Sequence, residues 1–247
     1  VKAGKTLWLG GWHTVSAIAR HQPHRLRRVL LTEGKSSGRR KLLVSRLKAL
    51  GIKPETVALD ELNRLVEGVH QGVAALCEEA IEGTEAELFD YLETLTKPPL
   101  LLLLDGIQDP RNLGACLRIA DAAGCDAVIL EKRNSAPLSA LAQKAASGAC
   151  LSPYRVPGLV RVVNRLKQMN VWIYGADPAA DTSLYLASLH GPIGWVVGSE
   201  GSGLRPLLRK SCDQLVHIPM AGAVSSLNLS VATGICLFET RRQQSDR

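Results

Sequence analysis

Three segments place polar and glycine residues just where an apolar run ends. They are Leu104-Asp105-Gly106-Ile107-Gln108-Asp109-Pro110-Arg111-Asn112-Leu113-Gly114-Ala115, Val196-Val197-Gly198-Ser199-Glu200-Gly201-Ser202-Gly203-Leu204 and Ile218-Pro219-Met220-Ala221-Gly222-Ala223-Val224-Ser225-Ser226-Leu227-Asn228-Leu229-Ser230. Three strand-to-loop junctions in one α/β region predict a ligand site at the carboxyl ends of a sheet. The order Gly198, Gly201, Gly203 is not the dinucleotide fingerprint, no phosphate-loop lysine motif exists, and Glu200 would repel a pyrophosphate. No nucleophile elbow surrounds Ser225, Ser226 or Ser230, and Ser225 or Ser226 serves equally as the N-cap of a following helix. His217 reads as a packed strand residue, and His13 and His70 lie far off in the sequence. The loops suit a phosphate-free ligand that passes close to the backbone, S-adenosylmethionine among them. Tight turns with no ligand explain the glycines as well.

The elements that must position these loops follow from periodicity. In the N-terminal part we expect a helix over 13–19, a strand over 28–32, a helix over 41–50 capped by Gly51, a strand over 56–59, a helix over 61–66 after Asp60, and a turn at 69–72 into another strand. Residues 79–97 are acidic and end at Pro98-Pro99, which reads as a solvated linker. Strands are then expected at 100–104, 127–130, 171–174, 193–197 and 214–218, and helices at 113–123, 137–147, 159–169 and 227–243. That alternation predicts a parallel α/β sheet. The divisions are residues 1–78, the linker 79–97, and 98–247.

Charge is uneven over the 247 residues, whose net charge is +7. Twelve lysines and arginines fall in the first fifty residues against the single acid Glu33. This fits a module facing a polyanion, or else an ordinary charged surface. The six cysteines are scattered, without a C-x-x-C pair or a nearby His at zinc spacing, and read as free thiols of a reducing cytoplasm, with no metal expected. The apolar run from Pro98 to Leu104 is far shorter than the roughly 20 residues that span a bilayer. No charged-then-apolar leader opens the sequence, so neither secretion nor a membrane partner is expected.

The segments Asn112-Leu113-Gly114-Ala115-Cys116-Leu117-Arg118, Gly198 to Leu204, and Ile218-Pro219-Met220 through Ser225-Ser226-Leu227-Asn228-Leu229-Ser230-Val231-Ala232 resemble the three motifs of SpoU-type (TrmH-like) RNA ribose 2′-O-methyltransferases. Gly11-Trp12-His13-Thr14-Val15 and Val69-His70-Gln71-Gly72 resemble parts of that family's N-terminal RNA-binding domain. The ending Val231 to Glu239 is similar to the bacterial branch that methylates a guanosine of 23S ribosomal RNA.

The resemblance implies a parallel sheet with helices on both faces and a deep C-terminal trefoil knot, an exception to unknotted connections, preceded by a small α/β RNA-binding domain. It implies S-adenosylmethionine as methyl donor, S-adenosylhomocysteine as product, ribosomal RNA as partner, and a homodimer with the site beside its interface. Transfer RNA as substrate, or a non-catalytic assembly role, are the alternatives. It assigns Asn112, Arg118, Glu200, Ser226 and Asn228 to the polar catalytic positions, and Gly198, Ile218 and Leu227 to cofactor contact. Arg118 reads as a phosphate clamp, because a guanidinium with a pKa above about 12 is a poor base. For the N-terminal module we expect RNA docking through Arg25, Arg27, Arg28, Arg39, Arg40 and Lys41, with Ser36-Ser37-Gly38 as a loop that orders on RNA.

Overall fold

The computed structural model describes residues 5–34, 37–149, 151–199, 201 and 203–245. The chain forms two units, Val1–Ile81 with Leu138–Cys150, and Glu82–Pro137 with Leu151–Arg247.

The first unit runs β1 (Thr6–Gly10), α1 (Trp12–His21), β2 (Leu26–Thr32), α2 (Gly38–Ala49), β3 (Glu55–Val57), α3 (Leu59–Leu65) and β4 (Val73–Glu78). The sheet order is β1-β4-β2-β3, with β4 antiparallel to both neighbours and β2 parallel to β3. Alternation along β2 and β4 makes a two-sided core. Val29, Leu31, Val73 and Ala75 face Val15, Ile18, Leu43 and Leu47 of α1 and α2, whereas Leu30 and Ala74 face Leu62 of α3. Ser37 caps α2 by accepting from the Arg40 amide at 3.3 Å, and Gly51, at φ +73°, lets the chain leave that helix.

The second unit opens with β5 (Gly83–Thr84), α4 (Glu85–Thr94), β6 (Leu100–Asp105), α5 (Pro110–Ala122) and β7 (Ala127–Glu131). The chain then leaves it: α6 (Ala140–Ala145) belongs to the first unit. There Gln143 Oε1 accepts from Arg25 Nη2 at 2.7 Å, Lys144 Nζ donates to the Glu67 carbonyl at 3.4 Å, and a Cβ on Gly148 would lie 2.1 Å from that of Ala17. The second unit resumes with β8 (Tyr154–Val156), α7 (Leu159–Gln168), β9 (Trp172–Ala176), β10 (Thr182–Ser183), β11 (Ile193–Gly198), α8 (Pro206–Ser211), β12 (Gln214–His217) and α9 (Leu229–Ser245).

Its described strands lie in the order β10-β12-β9-β11-β6-β7-β8-β5, every neighbouring pair parallel. Leu100 to Leu104 are all buried, as a central strand covered on both faces requires. Leu101, Leu103, Ala127 and Ile129 pack on Leu88, Phe89 and Leu92 of α4 and on Val162, Val163 and Leu166 of α7. Helix α9 covers the other face, where Trp195 Nε1 donates to Thr240 Oγ1 at 2.9 Å, and α5 packs beside it.

Two expectations are corrected here. The acidic stretch 79–97 is no solvated linker, since it holds β5 and α4 and contributes three core residues. Its acids mask an apolar face at i, i+1 and i+4, and Thr84 and Glu87 form a capping box at its start. The helix expected over 137–147 is only α6, Ala140–Ala145, and it belongs to the first unit.

Candidate active site

A cleft of ≈ 840 Å³ opens in the second unit at the carboxyl ends of β9, β11 and β12, where neighbouring parallel strands of an α/β sheet commonly hold a ligand. The loop after β9 contributes Asp177, Pro178 and Ala179; the loop after β11 contributes Gly198, Ser199, Gly201, Gly203 and Leu204. The path from β12 into α9 adds Ile218, Met220, Ser225, Ser226, Leu227 and Asn228.

Glycine is required at position 198 by close approach: a Cβ there would lie 2.2 Å from the carbonyl carbon and oxygen of Gly203. The loop folds back on itself, the Gly203 amide donating to the Ser199 carbonyl at 3.0 Å. Across the cleft Asn228 does the capping expected of Ser225 or Ser226, its Oδ1 accepting from the Ser230 amide at 2.9 Å. Both serines are exposed, Ser226 within the cleft wall. Asn112 is likewise not the cap of α5. Asp109 fills that role by accepting from the Arg111 amide at 2.8 Å, and Pro110 follows it. Asn112 Oδ1 instead accepts from Asn228 Nδ2 at 3.2 Å, so the first and third motifs touch.

The structure therefore brings Gly198, Ile218, Leu227, Ser226 and Asn228 into the lining of one cleft, with Asn112 hydrogen-bonded to Asn228. Arg118 is exposed on α5 and does not line the cleft. Glu200 lies outside the described residues, as does Ser36 of the expected RNA loop.

The sequence reading missed a charged pair in the same lining. Arg209 Nε donates to Asp177 Oδ2 at 2.5 Å, and the Ala179 amide donates to Asp177 Oδ1 at 2.8 Å. Burial works against the Asp177 charge, but the Arg209 hydrogen bond, the amide and the Arg209 charge outweigh it and hold its carboxyl below the usual range. The signal that could have found it is the rule already applied elsewhere: Gly175-Ala176-Asp177-Pro178 is also a polar turn ending an apolar strand. The lining thus combines apolar Val197, Ile218, Leu227 and Leu229 with serine hydroxyls, the Asn228 amide and the Asp177–Arg209 ion pair. It suits a ligand with one flat apolar face and several polar groups. Among the described residues, no group of three or more His, Cys, Asp or Glu could hold a metal ion.

In the first unit, the expected RNA contacts separate into two kinds. Arg25 turns inward, donating to the Glu78 carbonyl at 3.0 Å, Gln22 Oε1 at 2.5 Å and Gln143 Oε1 at 2.7 Å. It is a buried tie for α6, which corrects its expected role. Arg27 pairs with Glu78, and Arg28 grips Glu55 at 2.9 and 2.7 Å with its guanidinium 5.9 Å from the centre of the Trp8 ring. Arg40 donates to the Thr32 carbonyl at 2.7 Å, while Arg39 and Lys41 are exposed on the first turn of α2. Nearby, Trp12 Nε1 donates to the Gln71 carbonyl at 2.9 Å and His70 Nδ1 accepts from the Gly72 amide at 3.1 Å, so the two N-terminal segments singled out in the sequence meet.

Residues 99–238 match the SpoU rRNA Methylase family, and residues 8–82 match a domain described as RNA 2′-O ribose methyltransferase substrate binding. The 23S rRNA (guanosine-2′-O-)-methyltransferase RlmB of Yersinia pestis is 45% identical over 237 residues, covering 95% of this chain and 96% of the relative. Its namesake from Pasteurella multocida is 47% identical over 238 residues, covering 95% and 97%. A crystal structure of an RNA 2′-O ribose methyltransferase superposes with a TM-score of 0.79 at 25% identity, over 98% of this chain and 90% of that one. Motifs, cleft and full-length likeness agree: the chain belongs to the SpoU rRNA methylase family.

Proposed function

We propose that this protein transfers a methyl group from S-adenosylmethionine to the ribose 2′-hydroxyl of a guanosine in 23S ribosomal RNA. The observation that carries the reading is the cleft at the ends of β9, β11 and β12, where Gly198, Ile218, Leu227, Ser226 and Asn228 converge and Asn228 reaches Asn112. The donor set fits the cofactor, with apolar side chains for its adenine and hydroxyls and amides for its ribose, beside a loop whose close turn requires glycine at 198. When bound, S-adenosylmethionine supplies an electrophilic methyl group on a sulfonium.

The protein's own task is to position the ribose and let one proton leave. Asn112 and Asn228, fixed by their mutual hydrogen bond, present amide groups at the cleft wall for the target nucleotide. Ser226 offers a hydroxyl through which the 2′-hydroxyl proton passes to solvent. Arg118 grips an RNA phosphate through its planar guanidinium.

Its absence from the cleft lining of its own chain is why a homodimer belongs to the proposal. Helix α9 exposes Val231 (48%) and Phe238 (52%) beside α5, which carries Arg118. A second copy covering that apolar face would bring Arg118 of one subunit toward the cleft of the other. The threaded C-terminal knot is part of the same proposal, supported by the return of residues 218–229 into the cleft walled by the loops after β9 and β11. RNA docks on the first unit through Arg39 and Lys41. Basic groups on the first turn of α2 oppose the helix dipole, and a phosphate there relieves that repulsion. A ribosomal RNA substrate places the work in the cytoplasm. Among the described residues, no helix is long and apolar enough to cross a membrane.

The test is transfer of a labelled methyl group to unmodified 23S ribosomal RNA and to transfer RNA, with nuclease mapping of the product. One 2′-O-methylguanosine in 23S RNA is the expected result. Label in transfer RNA overturns the substrate. No label in either, with cofactor bound, overturns the activity in favour of an assembly role.

A further inference from the structure

Both ends of the glycine loop are fastened to one buried carboxylate residue. Asp105, 1% exposed, closes β6, and in the sheet register it stands opposite Gly198, where the loop begins. Where the loop ends, Asp105 Oδ2 accepts from the Arg205 amide at 2.9 Å and Oδ1 accepts from Arg205 Nε at 2.6 Å. The other arm of the guanidinium crosses to the next strand, Arg205 Nη2 lying 2.8 Å from Glu131 Oε1 at the end of β7. Glu131 is itself held, its Oε1 accepting from the Leu159 amide at 3.1 Å. The ends of β6 and β7 are thereby joined by one planar fork, a geometry that an ammonium cannot reproduce, while β11 lies beside β6 in the sheet.

We infer that Arg205, clasped by Asp105 and Glu131, is a positioning residue that sets the shape of the Gly198–Leu204 loop for S-adenosylmethionine. The inference rests on reading the cleft as the cofactor site. It goes beyond that reading by naming residues absent from the cleft lining.

Two observations separate this role from general support of the fold. Arg205 is half-exposed, whereas the sheet is held by buried leucines and valines that do not depend on it. Helix α8, which follows at once, is anchored separately by buried Leu208. Releasing the fork therefore frees the loop and leaves the sheet. Asp105 also opens the segment leading to Asn112, so the same carboxylate registers the first motif against the second. Glu131 and Asp105 both raise the Arg205 pKa, and the fork stays charged throughout the working range.

The experiment uses the full chain and its Arg205→Ala, Arg205→Lys and Glu131→Gln variants. Calorimetric titration with S-adenosylhomocysteine reads the loop directly, and initial rates give KM and kcat separately. Arg205→Ala should weaken binding by about tenfold or more and raise KM for S-adenosylmethionine in step, with a smaller fall in kcat. Arg205→Lys should recover only part of the loss, and Glu131→Gln should move in the same direction by less. RNA affinity by filter binding should stay unchanged. Wild-type affinity in Arg205→Ala overturns the inference. If that variant does not fold, wild-type affinity in folded Glu131→Gln overturns it instead. Absence of binding by the wild-type chain overturns the cofactor reading, and the inference with it; equal tight binding by wild type and variants overturns the inference alone.

Discussion

At the scale of single residues, exposure and partners divide the arginines by task. Arg118 stands exposed on α5 with no place in the cleft wall of its own chain, whereas Arg25 is buried among three acceptors. Arg118→Ala should lower kcat by about 100-fold or more, as loss of a positioning contact does, and leave S-adenosylhomocysteine affinity within about twofold, read by calorimetry. Arg25→Ala should instead reduce folding stability by about 2–3 kcal/mol in urea titrations, because its hydrogen bonds to a charged group are lost. Arg39→Ala should not move that midpoint, but should reduce the salt slope of RNA binding by about one. The thiols give a pH signature. Burial pushes Cys125 and Cys236 up to about 12 from an ordinary 9.0. The unfolded chain therefore loses these protons first. Their contribution to stability is complete below pH 9 and drains away as pH rises toward 12, so Cys125→Ala should show a shallower alkaline loss in urea titrations across that range.

Helix α4 decides how the acidic stretch behaves as an element. Phe89 is fully buried in the main core, and Phe89→Ala should cost about 3–5 kcal/mol, measured by denaturant midpoint. A solvated linker would show almost no change. This helix also shows where the sequence stops being legible. Leu100 to Leu104 announce a central strand because nothing polar interrupts them, and Gly51 and Gly124 mark helix ends that the structure confirms with positive φ. In α4 the net charge of the segment outvoted three apolar residues, although only their spacing bears on packing. At the cleft, Gly198, Ile218 and Leu227 were legible through their match to the family's motifs; Gly198 closes the apolar strand β11, Ile218 follows β12, and Leu227 lies in the loop before α9. Asp177, Arg205 and Glu131 were not, because their meaning lies in partners 32, 100 and 28 residues away, and nothing local marks an ion pair.

For the whole molecule, the proposed homodimer rests on the exposed apolar face of α9. Phe238→Glu places a charge on the surface we assign to the second copy. Sedimentation should show a monomer, and methyl transfer should fall to background although Phe238 is absent from the cleft lining. A dimer that survives with full activity would refute that assignment. The insertion of Leu138–Cys150 into the first unit has a different consequence, for synthesis. A chain made from its N-terminus presents β1 to β4 early, yet the Gln143 acceptor for Arg25 emerges only after β7. The first unit cannot complete its packing as a freestanding early product, and a chain stopped after Ile81 keeps two acceptors for Arg25 but lacks the third, Gln143.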